Sequence, residues 1–221
     1  MEPVGVIPAA GRAQRLQPLS CSKEVYPVGG RPVMDYVVER LRAAGCRELR
    51  VVTRPDKPDV IEHARALGAD VVEGTPPTLA ASIGLGLRGL EDSDVALVGL
   101  PDTLWEPVDG FVRLLDALDE DTGVVLGVFE SDEPERSDVV LVGERGSVRS
   151  VHVKSADPPG NLVWGCFAAR AGALAGLERY AEPGHHFAAL ATAGKIRAVR
   201  FPERMIDIGT PAALAAAEAR A

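Results

Sequence analysis

The chain has 221 residues, 46% of them hydrophobic and 25% charged, a length and composition that support one buried core and exclude a disordered chain. Its 24 Lys and Arg against 32 Asp and Glu leave a formal net charge of −8, the wrong balance for a protein that tracks a nucleic-acid backbone. Cys21, Cys46 and Cys166 are widely separated, which excludes a disulfide framework and the close cysteine pairs of zinc and redox motifs.

In chain order, short β-branched runs alternate with helical patterns, the signature of an α/β protein with a mostly parallel sheet covered on both faces. The first strand is expected at 4–7. A helix follows at 33–44, where Val33, Val37, Leu41 and Ala44 share a face and Gly45 stands at the left-handed C-cap. Strands are predicted at 49–53, 70–73 and 95–100, with helices at 59–67, 78–90 and 108–118 between and after them. Strands at 123–129, 139–142, 147–153 and 163–168 come next, the middle ones with no helix between. Helices at 171–180 and 186–193, strands at 196–201 and 205–208 and a helix at 211–219 complete the chain. The change of pattern near residue 120 divides a single domain, 1–221, into 1–120 and 121–221, and fits either a nucleotide-type first half with a substrate-binding insertion or one continuous sheet running through both.

Glu2 stands where a secretory signal carries basic residues, and no run approaches the roughly 20 apolar residues that span a bilayer. A cytoplasmic protein without membrane or nucleic-acid partners is expected. Gly84-Leu85-Gly86-Leu87-Arg88-Gly89 fits the dinucleotide fingerprint but lies inside a helical pattern, the wrong context. His185-His186 has no partner at metal-ligand spacing and reads as a loop before a helix. Cys21 reads as a small loop residue, and the acidic stretch 116–121 as a solvated face.

The informative segment follows the first strand: Pro8-Ala9-Ala10-Gly11-Arg12-Ala13-Gln14-Arg15-Leu16, then Lys23-Glu24-Val25-Tyr26-Pro27-Val28-Gly29-Gly30-Arg31-Pro32. Small residues let backbone N–H groups approach an anion, and cations on the same loop can hold a polyphosphate. On physical grounds alone, the segment equally fits a strand-to-helix connection whose cations are solvated.

These residues resemble the motifs of the sugar-1-phosphate nucleotidylyltransferases, which include glucose-1-phosphate thymidylyl- and uridylyltransferases and mannose-1-phosphate guanylyltransferases. Ala9 to Leu16 is similar to the family's Ala-Gly/Ala-Gly-x-Gly-Thr-Arg-Leu, and Lys23 to Pro32 to its Lys-x-x-x-Pro-Val-x-x-Lys-Pro. Val33 to Glu39 resembles the helix that follows. Gly99-Leu100-Pro101-Asp102 echoes a later Gly-Asp motif, and Met205-Ile206-Asp207-Ile208-Gly209-Thr210-Pro211 the closing Trp-x-Asp-Ile-Gly-Thr-Pro.

The resemblance implies a three-layer α/β/α, Rossmann-like fold with a mixed, mostly parallel sheet. It implies transfer of a nucleotidyl group from an NTP to a sugar 1-phosphate, giving an NDP-sugar and pyrophosphate with Mg²⁺. Arg15 and Lys23 would neutralise the triphosphate and leaving group, and Asp102 and Asp207 would hold the metal. Ala9, Ala10 and Gly11 would present backbone to the nucleotide. Glu73 and Thr78 would lie at the base, where a carboxylate suits a base edge rich in N–H groups such as guanine or the cytosine amino group. Lys154 would grip the acceptor phosphate, with Asp138 beside the acceptor where the family often has glycine.

The departures are Ala13-Gln14 for Gly-Thr, the interposed Leu100-Pro101, Met205 for tryptophan and Val153 for the glutamate before the motif lysine. They concentrate at the triphosphate loop and the acceptor side. Two rival readings follow from them: cytidylyl transfer to a non-sugar phosphate or phosphonate, and a catalytically weakened nucleotide-binding homologue.

Overall fold

The computed structural model describes residues 2–13, 16, 18–203 and 205–220, the side chain of Arg220 excepted. The strands are β1 (Val4–Pro8), β2 (Pro27–Val28), β3 (Arg31–Pro32), β4 (Leu49–Thr53), β5 (Asp70–Glu73), β6 (Val95–Gly99), β7 (Thr103–Leu104), β8 (Val124–Glu130), β9 (Asp138–Val142), β10 (Val148–Val153), β11 (Leu162–Arg170), β12 (Ile196–Arg200) and β13 (Ile206–Asp207). The helices are α1 (Met34–Ala43), α2 (Pro58–Ala66), α3 (Leu79–Gly86), α4 (Gly110–Asp116), α5 (Pro183–Thr192) and α6 (Pro211–Arg220).

The main sheet runs β5-β4-β1-β6-β11-β8-β12, and among the described residues β11 alone opposes the direction of the other strands on this path. A mixed, mostly parallel sheet is therefore what the chain builds. β11 joins the two halves by pairing antiparallel with β6 on one edge and β8 on the other. The β9–β10 hairpin meets the start of β11 through Val163 and Val139.

Strand alternation feeds two cores, one on each face. In β8, Val125 and Phe129 pack with Val37, Leu41, Val60 and Phe111 from α1, α2 and α4. The intervening Val124, Leu126 and Val128 pack with Ile83 of α3 and Phe187 of α5 on the opposite face. Each fully buried side chain of this size contributes about 1.5–3 kcal/mol, so these two faces set the three-layer arrangement. Gly86 allows α3 to lie close on the sheet, since a Cβ there would stand 2.5 Å from Val6 Cγ1. Of the other glycines in the apparent dinucleotide fingerprint, Gly84 packs against Glu178 and Gly89 takes φ +81° after the helix.

Several elements differ from expectation. The 171–180 segment is two short 3₁₀ turns, Ala171–Leu174 and Leu177–Arg179, because Gly176 takes φ +83° between them and breaks the helical path. The last sheet helix starts at Pro183, a residue preorganised for the first helical position, so His185 and His186 lie inside α5. His186 Nε2 meets the Ala173 carbonyl at 2.8 Å, a packing role. Gly29 and Gly30, both at positive φ, close the unpredicted β2–β3 hairpin. No helix among the described residues is long and apolar enough to cross a membrane.

Candidate active site

Parallel strands deliver their following loops to one end of the sheet, and a cleft of about 810 Å³ opens there. Ala10, Gly11, Lys23, Thr78, Asp102, Asp138, Lys154 and Asp207, drawn from both halves of the chain, all line it. Arg15 lies outside the described residues.

The loop after β1 forms the near wall. Ala9, expected among the nucleotide contacts, is fully buried and does not line the cleft. Its N–H donates to the Val52 carbonyl at 2.7 Å, continuing the β1–β4 ladder, so that donor is already spent on the sheet. Ala10 and Gly11 carry the wall onward. Ala13 takes φ +49°, a left-handed conformation that a glycine adopts without cost and an alanine does not. Lys154 shares this strain at φ +41°.

Lys23 is held on a 3₁₀ turn (Lys23–Val25) and forms an ion pair with Asp102. Burial alone would depress its pKa, but the charges of Asp102, Asp207 and Glu24 outweigh that and hold it above the ordinary lysine value. Lys23 is therefore an ammonium across the neutral range. Asp102 sits on the turn between β6 and β7, and Asp207 ends β13. The β7–β13 ribbon sets Asp207 opposite Thr103, and the Ile208 N–H donates to the Asp102 carbonyl at 3.0 Å. The interposed Leu100-Pro101 thus supplies the turn that starts β7. Two carboxylates beside one cation suit Mg²⁺, which usually takes one or two carboxylates together with substrate phosphates.

The far wall comes from β9, β10, β11 and α5. Asp138, 5% exposed, accepts the Trp164 indole N–H on Oδ2 at 3.2 Å. Its Oδ1 has no hydrogen-bond partner among the described residues. Gly184, in the first turn of α5, packs so tightly on this carboxylate that a Cβ there would collide with Oδ2. Lys154 reaches Glu182, the residue that caps α5.

Burial pushes the Asp138 pKa up, with the Glu182 charge adding to it, while the Trp164 hydrogen bond, Lys154 and the Gly184 N–H pull it back; the net shift is upward. A carboxyl whose folded pKa exceeds its unfolded value of about 3.9 adds stability in full below that value and loses it as pH rises through the folded pKa. Asp138→Asn keeps an acceptor for Trp164 and removes the titration. Its Tm should therefore gain on wild type as pH rises from about 4 toward neutrality. Thermal unfolding across that window tests this, and parallel Tm–pH curves would refute it.

Of the two residues expected at the base, Thr78 lines the cleft, but its hydroxyl caps α3 by accepting the Ala81 N–H at 3.1 Å. Glu73 does not line the cleft. It ends the edge strand β5 and faces Arg65 on α2 at 3.8 Å, so the segment from Thr75 to Leu79 forms that wall instead. Arg12, Arg54 and Arg136 also line the cleft, and no role was assigned to Arg54 or Arg136 by motif. Arg54 directly follows β4, a position at the ligand-bearing end of a parallel strand, and this was its one signal in the sequence. Cys21 is not an activated thiol, since burial raises its pKa.

The chain carries a nucleotidyltransferase domain, and its fold is the one shared by solved sugar-phosphate nucleotidylyltransferases. The family model described as the MobA-like NTP transferase domain matches residues 5–190, and the chain belongs to that family. Among curated proteins, the low-salt glycan biosynthesis nucleotidyltransferase Agl11 of Haloferax volcanii is 28% identical over 168 residues, covering 72% of this chain and 46% of that protein. Glucose-1-phosphate thymidylyltransferase of Neisseria gonorrhoeae is 26% identical over 163 residues, covering 70% of this chain and 56% of its own. The chain thus spans about half the length of these relatives. A solved UDP-glucose pyrophosphorylase complexed with UDP-glucose superposes with a TM-score of 0.84 at 19% identity, covering 100% of this chain and 98% of its own, and shares the fold.

Proposed function

We propose that the chain joins an NTP to a sugar 1-phosphate, releasing pyrophosphate and forming an NDP-sugar, with Mg²⁺ as cofactor and in the cytoplasm. The observation that carries this reading is the β7–β13 ribbon, which brings Asp102 and Asp207 to the cleft wall that also carries Lys23 and Gly11. The named activities of the two curated relatives agree with it.

The attacking oxygen belongs to the acceptor phosphate, which is already ionised near neutral pH, so the site needs no general base. It forms a bond to the α-phosphorus of the NTP as the bond to the bridging oxygen breaks, and pyrophosphate carries away that electron pair. The chain's task is in-line placement and charge compensation. Ala10 and Gly11 offer backbone to the nucleotide phosphates. Lys23 passes from Asp102 to the leaving pyrophosphate, and Lys154 passes from Glu182 to the acceptor phosphate. Asp138 and Trp164 face the acceptor body. Mg²⁺ held by Asp102 and Asp207 would screen the phosphate charges.

Pyrophosphate release, measured with each of four NTPs against a panel of sugar 1-phosphates, amino-sugar phosphates, phosphocholine and aminoethylphosphonate, tests the assignment. Turnover confined to sugar phosphates is the expected result. Turnover only with non-sugar acceptors, or nucleotide binding without turnover on any acceptor, would overturn it.

A further inference from the structure

Lys57 belongs to no motif and does not line the cleft, yet its ammonium ties the two segments of the nucleotide wall together. It caps α2 and is 9% exposed. Its Nζ donates to the Ala9 carbonyl at 3.1 Å and to Glu24 Oε1 at 2.7 Å. Ala9 immediately precedes the Ala10–Gly11 backbone, and Glu24 immediately follows Lys23. On the other flank of Lys23, Asp59 of α2 accepts the Ser22 N–H at 2.6 Å and the Ser22 hydroxyl at 2.8 Å. Both neighbours of Lys23 are therefore fastened to the first turn of one helix.

The charges along this path alternate: Lys57, Glu24, Lys23, Asp102. Glu24 lies in the cleft wall, is 1% exposed, and its Oε2 has no hydrogen-bond partner among the described residues. A carboxylate so placed needs a counter-charge, because a buried ion that loses its partner bears the whole desolvation cost. Lys57 supplies that counter-charge from behind the wall. It thereby leaves Lys23 to Asp102 and, on the reading above, to the phosphates.

We propose that Lys57 is a positioning residue for nucleotide binding, acting by neutralising Glu24 behind the wall so that Lys23 stays directed to Asp102 and to the nucleotide phosphates. The proposal rests on the assignment of Lys23 and Gly11 to the NTP phosphates. Lys57→Met leaves Glu24 as an uncompensated carboxylate beside the polyphosphate. Its KM for NTP is expected to rise about tenfold or more, with kcat and the acceptor KM changing much less. Adding Glu24→Gln removes the stranded charge, so the double variant should return to within about threefold of wild type in NTP KM. General loosening of the fold would not give this split or this rescue.

The experiment is steady-state pyrophosphate release with NTP and acceptor varied separately for wild type, Lys57→Met, Glu24→Gln and the double variant, with Tm recorded for each. An unchanged NTP KM in a folded Lys57→Met protein, or a double variant no better than the single, overturns the proposal. If Lys57→Met does not fold, equilibrium NTP binding to the double variant decides, and affinity within about threefold of wild type is required. Absence of turnover in the wild type with every NTP and acceptor would instead strike the reaction assignment.

Discussion

Lys23→Ala is expected to lower the rate of pyrophosphate release by roughly two to three orders of magnitude, the usual effect of removing one charged donor worth about 3–4 kcal/mol at a transition state. Lys23 is only partly solvated, carries its charge across the neutral range and reaches the cleft beside both aspartates. Charge accumulates on the departing pyrophosphate as the bond to the α-phosphorus breaks, so a cation at this point acts more on the transition state than on the bound NTP. The loss should therefore fall on kcat more than on the acceptor KM. Because the carboxylates hold the Lys23 pKa above its ordinary value, its deprotonation should contribute no falling limb to the pH–rate profile near neutrality. Removing Lys23 also leaves Asp102 without its ion-pair partner, so Tm must be followed alongside rate. A folded Lys23→Ala enzyme within tenfold of wild type would show that another group carries the leaving-group charge.

Much of the sheet was legible because β-strand burial writes itself directly into composition. β4 and β5 begin and end at their predicted residues, and β1, β6 and β8 within one residue. Their inward-facing positions alternate between two cores, and β-branched residues fill them. The two-residue strands β2, β3 and β7 were not legible, having no hydrophobic repeat to read, whereas β13 lies within the strand predicted at 205–208. The β2–β3 hairpin had a signal in Gly29-Gly30, which was absorbed into a motif. β7 had none, yet it places Asp102 against the strand that ends in Asp207. The 171–180 helix was predicted from its apolar spacing, and the left-handed Gly176 overrode that spacing.

The candidate site divides on the same physical line. Residues fixed by short-range geometry, such as Gly11 after β1 or Asp102 after β6, could be placed from sequence because a strand end tells where its following loop goes. Glu73 also ends a strand, but β5 is the sheet edge, where a strand end faces α2 and solvent instead of the cleft. Sheet order decides that, and sheet order follows from contacts remote in sequence. Lys57 and Arg54 were missed for a related reason. Ala9 is brought to Lys57 and the cleft to Arg54 by the parallel pairing of β1 with β4, and Glu24 is brought to Lys57 by the packing of the Lys23–Val25 turn on α2, contacts remote in sequence.

Asp102→Ala and Asp207→Ala should each reduce turnover by at least two orders of magnitude, roughly, and the double variant should be little worse than either single. The reason is geometric. Asp102 reaches the cleft from the turn that leads into β7 and Asp207 from the end of β13, the strand paired with β7, and neither strand offers a second acidic side chain to take over. On the proposed reading both carboxylates hold the same cation, so losing either side chain removes most of what the pair supplies. The ribbon itself should survive in both variants, because its link from the Ile208 N–H to the Asp102 carbonyl uses main-chain atoms. Chelation of divalent metal should abolish wild-type turnover, and Mn²⁺ binding followed by electron paramagnetic resonance should weaken in each single variant whether or not acceptor is present. Asp102→Ala should in addition release Lys23 from its ion pair, so its NTP affinity should fall less than that of Asp207→Ala as the freed ammonium turns to the phosphates. Additive losses, with the double variant slower than either single by the product of their factors, would mean that Asp102 and Asp207 serve separate purposes.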